Sequence, residues 1–307
     1  MKNKIKDITY NLLVGKTTHF VFKTLFPLWQ KLGFHLIRNH YYEPIPDTRN
    51  LNPKLWTQRN KLAGIDLNAK KQLELLDAFH NLYGKEYEKF PRYQTGSNQF
   101  YIHNQGFESV DAEMLYCIIR HFKPKRIFEI GSGSSTLLII DAIKRNVKEG
   151  IRANFTVIDP FPSQTVKASS KISKLHVTKV QETPSSVFKN LKKNDILFID
   201  SSHIATIGSD VQYLFLEILP RLSKGVIIHI HDIFIPSEYP RSHVLKEYNF
   251  WNEQYILQAF LTFNNAFEIL WSGNFIHLNY PSKLEAAFTS YNKKNTKPGS
   301  FWIRKIR

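Results

Sequence analysis

The spacing of apolar residues changes in a regular way along the chain from residue 126 onward. Short apolar runs predict buried strands, and longer stretches with apolar residues every three or four positions predict helices. The predicted strands lie at 126–130, 154–159, 175–180, 195–200 and 225–231, with two further candidates at 267–271 and 300–305. The predicted helices lie at 69–83, 109–122 (with Ser109 as its N-cap), 134–148, 183–191, 207–222 and 250–263. This alternation predicts an α/β fold with a doubly wound, mostly parallel, seven-stranded sheet covered by helices on both faces.

Residues 1–54 do not follow this alternation. Lysines and aromatic residues are interspersed up to residue 40, and Ile5, Ile8 and Leu12 share one face of a predicted helix. This face fits a membrane interface, and it fits equally a contact with the protein's own body or with a second subunit. A linker punctuated by prolines follows at 41–54. We predict three parts, which are a basic aromatic extension with its linker (1–54), a helical lead-in (55–124) and a sheet domain (125–307).

The chain carries a formal net charge of +16, and most of it lies at the two ends. Residues 1–40 hold seven Lys or Arg and one Asp, and residues 283–307 hold seven Lys or Arg and one Glu, so each end carries +6. The 242 residues between them carry +4. Basic ends predict attachment to an anionic membrane or a polyanion, although solvated basic tails would give the same pattern.

Cysteine usage and hydropathy bound the cellular setting. The single cysteine, Cys117, lies within an apolar helical pattern, so we expect a core residue and no disulfide framework. No run approaches the ~18 uninterrupted apolar residues that span a bilayer, and the lysine-rich start lacks the apolar stretch of a signal peptide. We therefore expect a cytoplasmic protein, with peripheral contact at the inner face of the membrane as an open alternative.

Polar side chains stand where each of the five predicted parallel strands ends. Carboxyl ends of parallel strands meet at one edge of a sheet, and ligands of such sheets bind there. We therefore expect these side chains to converge on one site. The polar groups in question are Glu129 with Gly131 and Gly133, Asp159, Gln181, Asp200 with His203, and His231 with Asp232.

The glycine turn after the first strand departs from the dinucleotide-binding fingerprint. Thr136 stands where that fingerprint needs a third glycine, and Glu129 precedes a turn that would otherwise face pyrophosphate. We expect Gly131 and Gly133 to permit a sharp turn and close approach of a ligand. A carboxylate beside the turn favours a cationic ligand such as S-adenosylmethionine, or it anchors the helix start. Asp159 can accept two hydrogen bonds from a ribose diol.

Four motifs together resemble class I S-adenosylmethionine-dependent methyltransferases, most closely the bacterial group with methyltransferase domain 24. They are Glu-Ile-Gly-Ser-Gly-Ser-Ser-Thr, Ile-Asp-Pro, Leu-Phe-Ile-Asp-Ser-Ser-His and His-Ile-His-Asp-Ile-Phe, and the resemblance is strong over 107–235. It implies a Rossmann-like sheet that ends in an antiparallel strand, supplied by 300–305. It also implies S-adenosylmethionine as cofactor, with methionine at the glycine turn, ribose at the second strand end and adenine beside the third. The implied cofactor-binding residues are Glu129, Gly131, Ser132, Gly133, Ser135, Asp159, Gln181 and Asp200.

The fourth and fifth strand ends also resemble metal-dependent, catechol-type O-methyltransferases. Asp200 and Asp232 match metal-binding carboxylates of that family, whereas His231 replaces an acidic or amide residue. The implied metal ligands are Asp200, His231 and Asp232, holding Mg²⁺, Mn²⁺ or a softer ion that imidazole prefers, or else no metal is held. His203 takes the position of a lysine base and suits removal of a hydroxyl proton. The predicted catalytic residues are His203, Asp200 and Asp232, while we expect His229 to be buried and structural.

The leading hypothesis is an enzyme that methylates an oxygen of a hydroxylated small molecule, sugar or glycan by direct displacement from S-adenosylmethionine. The alternative is a non-catalytic module of the same fold that docks a membrane or a partner. An NAD-dependent oxidoreductase is disfavoured by Thr136. No nucleic-acid partner is expected, because the core lacks a motif for a flipped base. Homo-oligomerisation stays open.

Overall fold

A computed structural model describes residues 16–37, 39–96 and 98–307, with side chains from residue 23 onward. Contacts divide the chain into two units, Met1–Pro53 and Lys54–Arg307. In the first unit, helix α1 spans Lys16–Lys31, and no described side chain between residues 23 and 53 is buried. The predicted apolar face of Ile5, Ile8 and Leu12 lies outside the described residues. None of the helices described is both long enough and apolar enough to cross a membrane.

In the second unit, the described residues form a seven-stranded sheet with the strand order β3-β2-β1-β4-β5-β7-β6. Neighbouring strands run parallel except where β7 pairs with β5 and β6. The predicted doubly wound, mostly parallel sheet with a final antiparallel strand is therefore confirmed. The strands are β1 (Arg126–Ile130), β2 (Asn154–Ile158), β3 (Lys174–His176), β4 (Ile196–Ile199), β5 (Ile227–Ile230), β6 (Phe267–Ser272) and β7 (Phe301–Lys305).

Helices pack on both faces of this sheet, and side-chain alternation along the strands creates two cores. In β4, Phe198 joins the core on one face, which includes Cys117, while Leu197 joins the core on the other. The burial predicted for Cys117 is confirmed. The helices of the second unit are α2 (Ala69–Tyr87), α3 (Asp111–Phe122), α4 (Ser134–Lys148), α5 (Gln164–Lys167), α6 (Asp210–Tyr213), α7 (Arg241–Leu245), α8 (Glu253–Leu261), α9 (Gly273–Asn279) and α10 (Pro281–Ala287).

Three predicted elements differ from the structure in their bounds or in the type of helix. The strand predicted at 175–180 ends at His176, because its one partner, β2, ends at Ile158. The helix predicted at 207–222 begins only after Ser209 and continues as a π-helix at Leu214–Ile218 and a 3₁₀ turn at Leu219–Arg221. The segment predicted as helix 183–191 is a 3₁₀ helix at Ser185–Asn190.

The prediction that Ser109 caps helix α3 is wrong. The helix begins at Asp111, and Val110 is its cap residue. The Glu113 carboxylate accepts a hydrogen bond of 2.7 Å from the Val110 N–H. The Ser109 hydroxyl instead contacts the Ser290 hydroxyl at 2.7 Å. Glu113 thus satisfies the N–H of the cap residue, which is the role of the glutamate in a capping box.

Candidate active site

The carboxyl edge of the sheet carries a cavity of about 520 Å³. It lies at the end of β1, which stands between β2 and β4, so the strand order reverses at this point. Ligands of open parallel sheets usually bind where the strand order reverses. The structure brings five of the predicted cofactor-binding residues together in its lining, whereas Glu129, Gly133 and Ser135 lie outside the lining. The predicted residues that line it are Gly131, Ser132, Asp159, Gln181 and Asp200.

Gly131 is the residue that lets β1 and β4 end so close together. Its φ is +82°, and a Cβ atom there would lie 1.8 Å from the Asp200 carbonyl oxygen. No other residue type fits this position. Gly133 differs, because its φ of −176° is ordinary extended backbone and a Cβ atom would meet no heavy atom within 4 Å. The expectation that both glycines are needed for the turn therefore holds for Gly131 alone.

Glu129 anchors the start of helix α4. Its two carboxyl oxygens accept hydrogen bonds from the Ser135 hydroxyl at 2.7 Å and the Thr136 hydroxyl at 2.8 Å. The Thr136 hydroxyl oxygen in turn accepts a hydrogen bond from the Gly133 N–H at 3.0 Å. Burial raises the pKa of Glu129 to about 8, although both hydroxyl donors act to lower it. The anchoring alternative for Glu129 is therefore the one that its contacts fit.

Two side chains of the lining, Asp159 and Gln181, present acceptor oxygens. Asp159 accepts hydrogen bonds from the Ser132 hydroxyl and, at 2.7 Å, from the Phe161 N–H. Gln181 lies on a 3₁₀ turn and donates to the Gly208 carbonyl at 3.2 Å. Its side-chain oxygen is buried without a hydrogen-bond partner among the described residues. A buried acceptor without a donor is costly unless a ligand satisfies it.

His203 lies beside the cavity and is held between three carboxylates. Its Nδ1 lies 2.9 Å from Glu253 Oε2, and its Nε2 lies 3.4 Å from Asp200 Oδ1 and 3.6 Å from Asp232 Oδ2. The predicted catalytic residues His203, Asp200 and Asp232 are thus brought together. The backbone at His203 and Asp232 is left-handed, with φ of +61° and +54°, a strained conformation that is typical of functional sites.

The charges in this cluster shift the pKa values of its members. Burial acts to lower the pKa of His203, but its hydrogen bonds with Asp200 and Glu253 outweigh burial and raise that pKa well above its usual range. Burial acts to raise the pKa of Asp200, yet the neighbouring His231 and His203 bring it down to about 2. The free protein at neutral pH therefore holds an imidazolium beside an ionised Asp200.

The predicted metal ligands do not surround an open point. The His231 Nε2 lies 3.9 Å from Asp232 Oδ1, and the imidazole of His203 fills the space between Asp200 and Asp232. Within the part of the chain that the structure describes, no group of three or more His, Cys, Asp or Glu side chains is placed to hold a metal ion. The residues present do not fit a metal in this arrangement, and the metal set stays a prediction.

His229 is a core residue, as expected. Its ring stacks on Phe198 with centroids 4.0 Å apart, and its Nε2 lies 3.0 Å from the Ser300 hydroxyl. Burial lowers its pKa well below the usual range, so it is neutral. It takes no part in the carboxylate cluster.

Glu253 contacts the predicted catalytic residue His203, and the sequence analysis did not identify it. It is buried at the start of helix α8, 50 positions after the histidine that it contacts. The same segment holds the His203 loop in place, because the His203 carbonyl accepts hydrogen bonds from the Asn252 and Glu253 N–H groups. Two adjacent polar residues, Glu253 and Gln254, are buried at the start of an apolar helix. The sequence carried no local signal of this burial, because an acidic residue is ordinary in the first turn of a helix.

The segment that follows Asp232 is largely buried, and the Gln254 side chain accepts a hydrogen bond from its Phe234 N–H at 3.1 Å. Half-buried Trp251 lies with its ring centroid 4.7 Å from that of His203, and Tyr239 packs against Trp251. The Trp251 ring therefore adjoins the imidazole of His203.

Comparisons with known proteins bear on this site. A family model described as a methyltransferase domain matches residues 128–233. An uncharacterized protein of Archaeoglobus fulgidus is 32% identical over 168 residues, which make up 51% of this chain and 74% of that protein. A solved O-methyltransferase of Bacillus cereus in complex with SAH is 12% identical with a TM-score of 0.35, covering 78% of this chain and 91% of its own. A solved structure of CmcI with Mg and SAM is 15% identical with a TM-score of 0.36, covering 73% and 84%. The chain belongs to the methyltransferase domain family, and its predicted recognition as a class I S-adenosylmethionine-dependent methyltransferase is confirmed.

Proposed function

We propose that this enzyme transfers the methyl group of S-adenosylmethionine to a hydroxyl oxygen of a small molecule, a sugar or a glycan. The observation that carries the proposal is the position of Asp200. This residue lines the cavity at the glycine turn and also lies 3.4 Å from the His203 Nε2. Asp200 thus connects the cavity proposed for the methyl donor with the imidazole proposed to accept the proton. A non-catalytic module would have no use for an imidazole fixed by three carboxylates.

The cavity residues fit the donor by their chemistry. The Asp159 carboxylate can exchange its contact with the Ser132 hydroxyl for a ribose diol, since carboxylates accept two such bonds. The unpartnered Gln181 oxygen can accept from the adenine amino group. The anionic cluster beyond Asp200 attracts the positively charged end of the donor. Glu129 supports this seat by fixing the start of helix α4.

The chain's own residues then position the acceptor and move its proton. Glu253 fixes the His203 ring through Nδ1, so Nε2 faces the side where an acceptor hydroxyl would lie. The acceptor oxygen forms a bond to the methyl carbon as the carbon–sulfur bond breaks, and sulfur keeps that electron pair. The hydroxyl proton passes to Nε2 of the neutral imidazole. The neutral fraction of His203 grows as pH rises, and because its pKa is raised this growth occurs at higher pH than for an ordinary histidine.

The acceptor side of the site supports a hydroxylated ring as substrate. Half-buried Trp251 provides an aromatic face beside the imidazole, and such faces pack against the faces of rings. Asp232 lies at the same place and can accept a hydrogen bond from a second hydroxyl. A sugar or a comparable polyol ring meets both features.

Calorimetric titration with S-adenosylmethionine, S-adenosylhomocysteine and NAD tests the donor. We expect the first two to bind and NAD to fail, and binding of NAD alone would overturn the proposal. An acceptor screen with sugars and phenols, followed by mass spectrometry, tests the transfer. We expect a product heavier by one methylene group that survives chelation of divalent metal, because the imidazole occupies the space between the carboxylates.

A further inference from the structure

A second concave site lies at the amino edge of the sheet, opposite the methyl-transfer cavity. Its volume is about 590 Å³, and the loops that enter β1 and β2 form it. The Asn154 N–H donates to the Lys125 carbonyl at 2.9 Å, which holds the two loops together. No acidic side chain of the described residues lines this cavity. Its charged lining consists of Lys123, Lys125, Arg126 and Arg152.

The acids nearest to these cations are already engaged. Glu149 lies 3.0 Å from the Lys123 ammonium, but it also pairs with Arg120 at 2.5 Å. Asp195 lies 3.3 Å from the Arg126 guanidinium. It also accepts hydrogen bonds from three backbone N–H groups, so its lone pairs are largely used.

Two cations of the cavity have no acid at all. Lys125 and Arg152 are exposed and make no ion pair with any residue that the structure describes. The cavity therefore keeps an excess of positive charge, which an anionic ligand would neutralise.

The positive charge extends along the whole amino edge. The loops that enter β3, β4 and β5 add further cations, and the Asn194 N–H donates to the Gly225 carbonyl at 2.8 Å between two of these loops. The carboxyl edge carries several acids, among them Asp159, Asp200 and Asp232. The cations of the three further loops are Lys171, Lys174, Lys192, Lys193 and Lys224.

We propose that this cavity binds an anion that bears two or more phosphate groups. Guanidinium groups match phosphate oxygens in pairs, and Arg126 and Arg152 supply two of them, while lysines add compact charges. A concave site selects a discrete ligand over a flat or extended polyanion. A free phosphorylated small molecule and the headgroup of an anionic lipid share this chemistry. The site is separate from the methyl-transfer cavity, because β1 lies between them and its five residues span about 17 Å.

Titration with inorganic tripolyphosphate at low salt tests the site. The test variant is Lys125→Gln combined with Arg152→Gln, and we expect its affinity to fall about tenfold or more, since two charge-assisted contacts are lost. The matched control is Lys85→Gln combined with Lys89→Gln, which removes two exposed cations near the end of helix α2. The control should bind as the unchanged protein does. Melting curves of both variants check that they fold.

Vesicles with and without cardiolipin, a lipid whose headgroup carries two phosphates, separate the two sources. Vesicle binding that tripolyphosphate displaces, and that the test variant loses, identifies a lipid headgroup. Tripolyphosphate binding identifies a soluble ligand if vesicle binding is absent, or if the test variant keeps it, because the first unit then accounts for the vesicle contact. The proposal is overturned if tripolyphosphate does not bind, if both variants weaken equally, or if only a long polyanion such as RNA binds. None of these outcomes depends on methyl transfer.

Discussion

At the scale of single residues, Gly131 and Asp200 show how closely two strand ends approach. The Asp200 carbonyl oxygen occupies the place where any side chain at position 131 would begin. The donor cavity and the carboxylate cluster depend on this contact, because Asp200 belongs to both. The glycine in the motif thus sets the geometry of the site through its missing side chain.

Replacing Gly131 with Ala should abolish binding of S-adenosylmethionine. The left-handed φ costs about 1–2 kcal/mol for a residue with a side chain, and the clash with the Asp200 carbonyl adds to it by moving the end of β4. Calorimetry and a melting curve measure both effects. The control is Gly33→Ala, which has the same φ of +82° but no atom within 4 Å of the added carbon. Unchanged affinity in Gly131→Ala would contradict this account.

The buried Glu129 should make stability depend on pH. Its pKa rises from 4.5 to about 8 on folding, so the folded state holds the proton more tightly than the unfolded state. The resulting stability is fully present below pH 4.5 and is lost as pH rises towards 8, at no more than about 1.4 kcal/mol per pH unit. The free energy of unfolding of Glu129→Gln should therefore exceed that of the unchanged protein at pH 8 but not at pH 5. Chemical denaturation at both pH values measures this difference. An equal difference at both values would count against the assignment.

At the scale of elements, local patterns predicted what local interactions decide. Strand β1 and helix α4 have the predicted bounds, 126–130 and 134–148, because their apolar spacing is regular and a glycine turn separates them. Helices α9 and α10 were missed, since each has seven residues, fewer than two full turns of apolar pattern. The spacing of apolar residues does not predict elements that form through tertiary contacts.

The same division holds within the candidate site. Five of the residues that line the cavity could be predicted, because strand ends of a parallel sheet meet at one edge. The pairing of Ser135 with Glu129 could not, since sequence order does not tell where a side chain points. The contact between Glu253 and His203 was hidden for another reason, because it joins helix α8 to a loop 50 positions earlier.

Helix α8 should contribute to turnover through Glu253. We expect Glu253→Ala to lower kcat about a hundredfold while the Kd for S-adenosylmethionine stays unchanged, since the imidazole loses its orientation and the donor cavity does not. Glu253→Gln, which keeps the size and one acceptor oxygen, should recover part of this loss. The exposed Glu247, in the loop before this helix, offers Glu247→Gln as a control. A parallel loss of donor affinity would show that Glu253 supports the fold instead.

At the scale of the whole molecule, the site and the cores belong to the second unit. Every residue of the two hydrophobic cores and of the donor cavity lies within Lys54–Arg307. Residues 23–53 contribute no buried side chain, although they expose apolar residues such as Leu32 and Phe34. We propose the basic, aromatic surface of the first unit as a peripheral membrane contact.

Removing residues 1–53 should leave the enzyme folded and able to bind its donor. The remaining chain keeps the sheet, both cores and the cluster of His203, Asp200, Asp232 and Glu253, so the melting temperature and the Kd for S-adenosylmethionine should match those of the full chain. Sedimentation with anionic vesicles should separate the two proteins, because the truncated chain loses the +6 charge of residues 1–40 together with the exposed apolar residues. A lower melting temperature in the truncated chain would mean that the first unit packs on the body, the alternative that its apolar residues also fit.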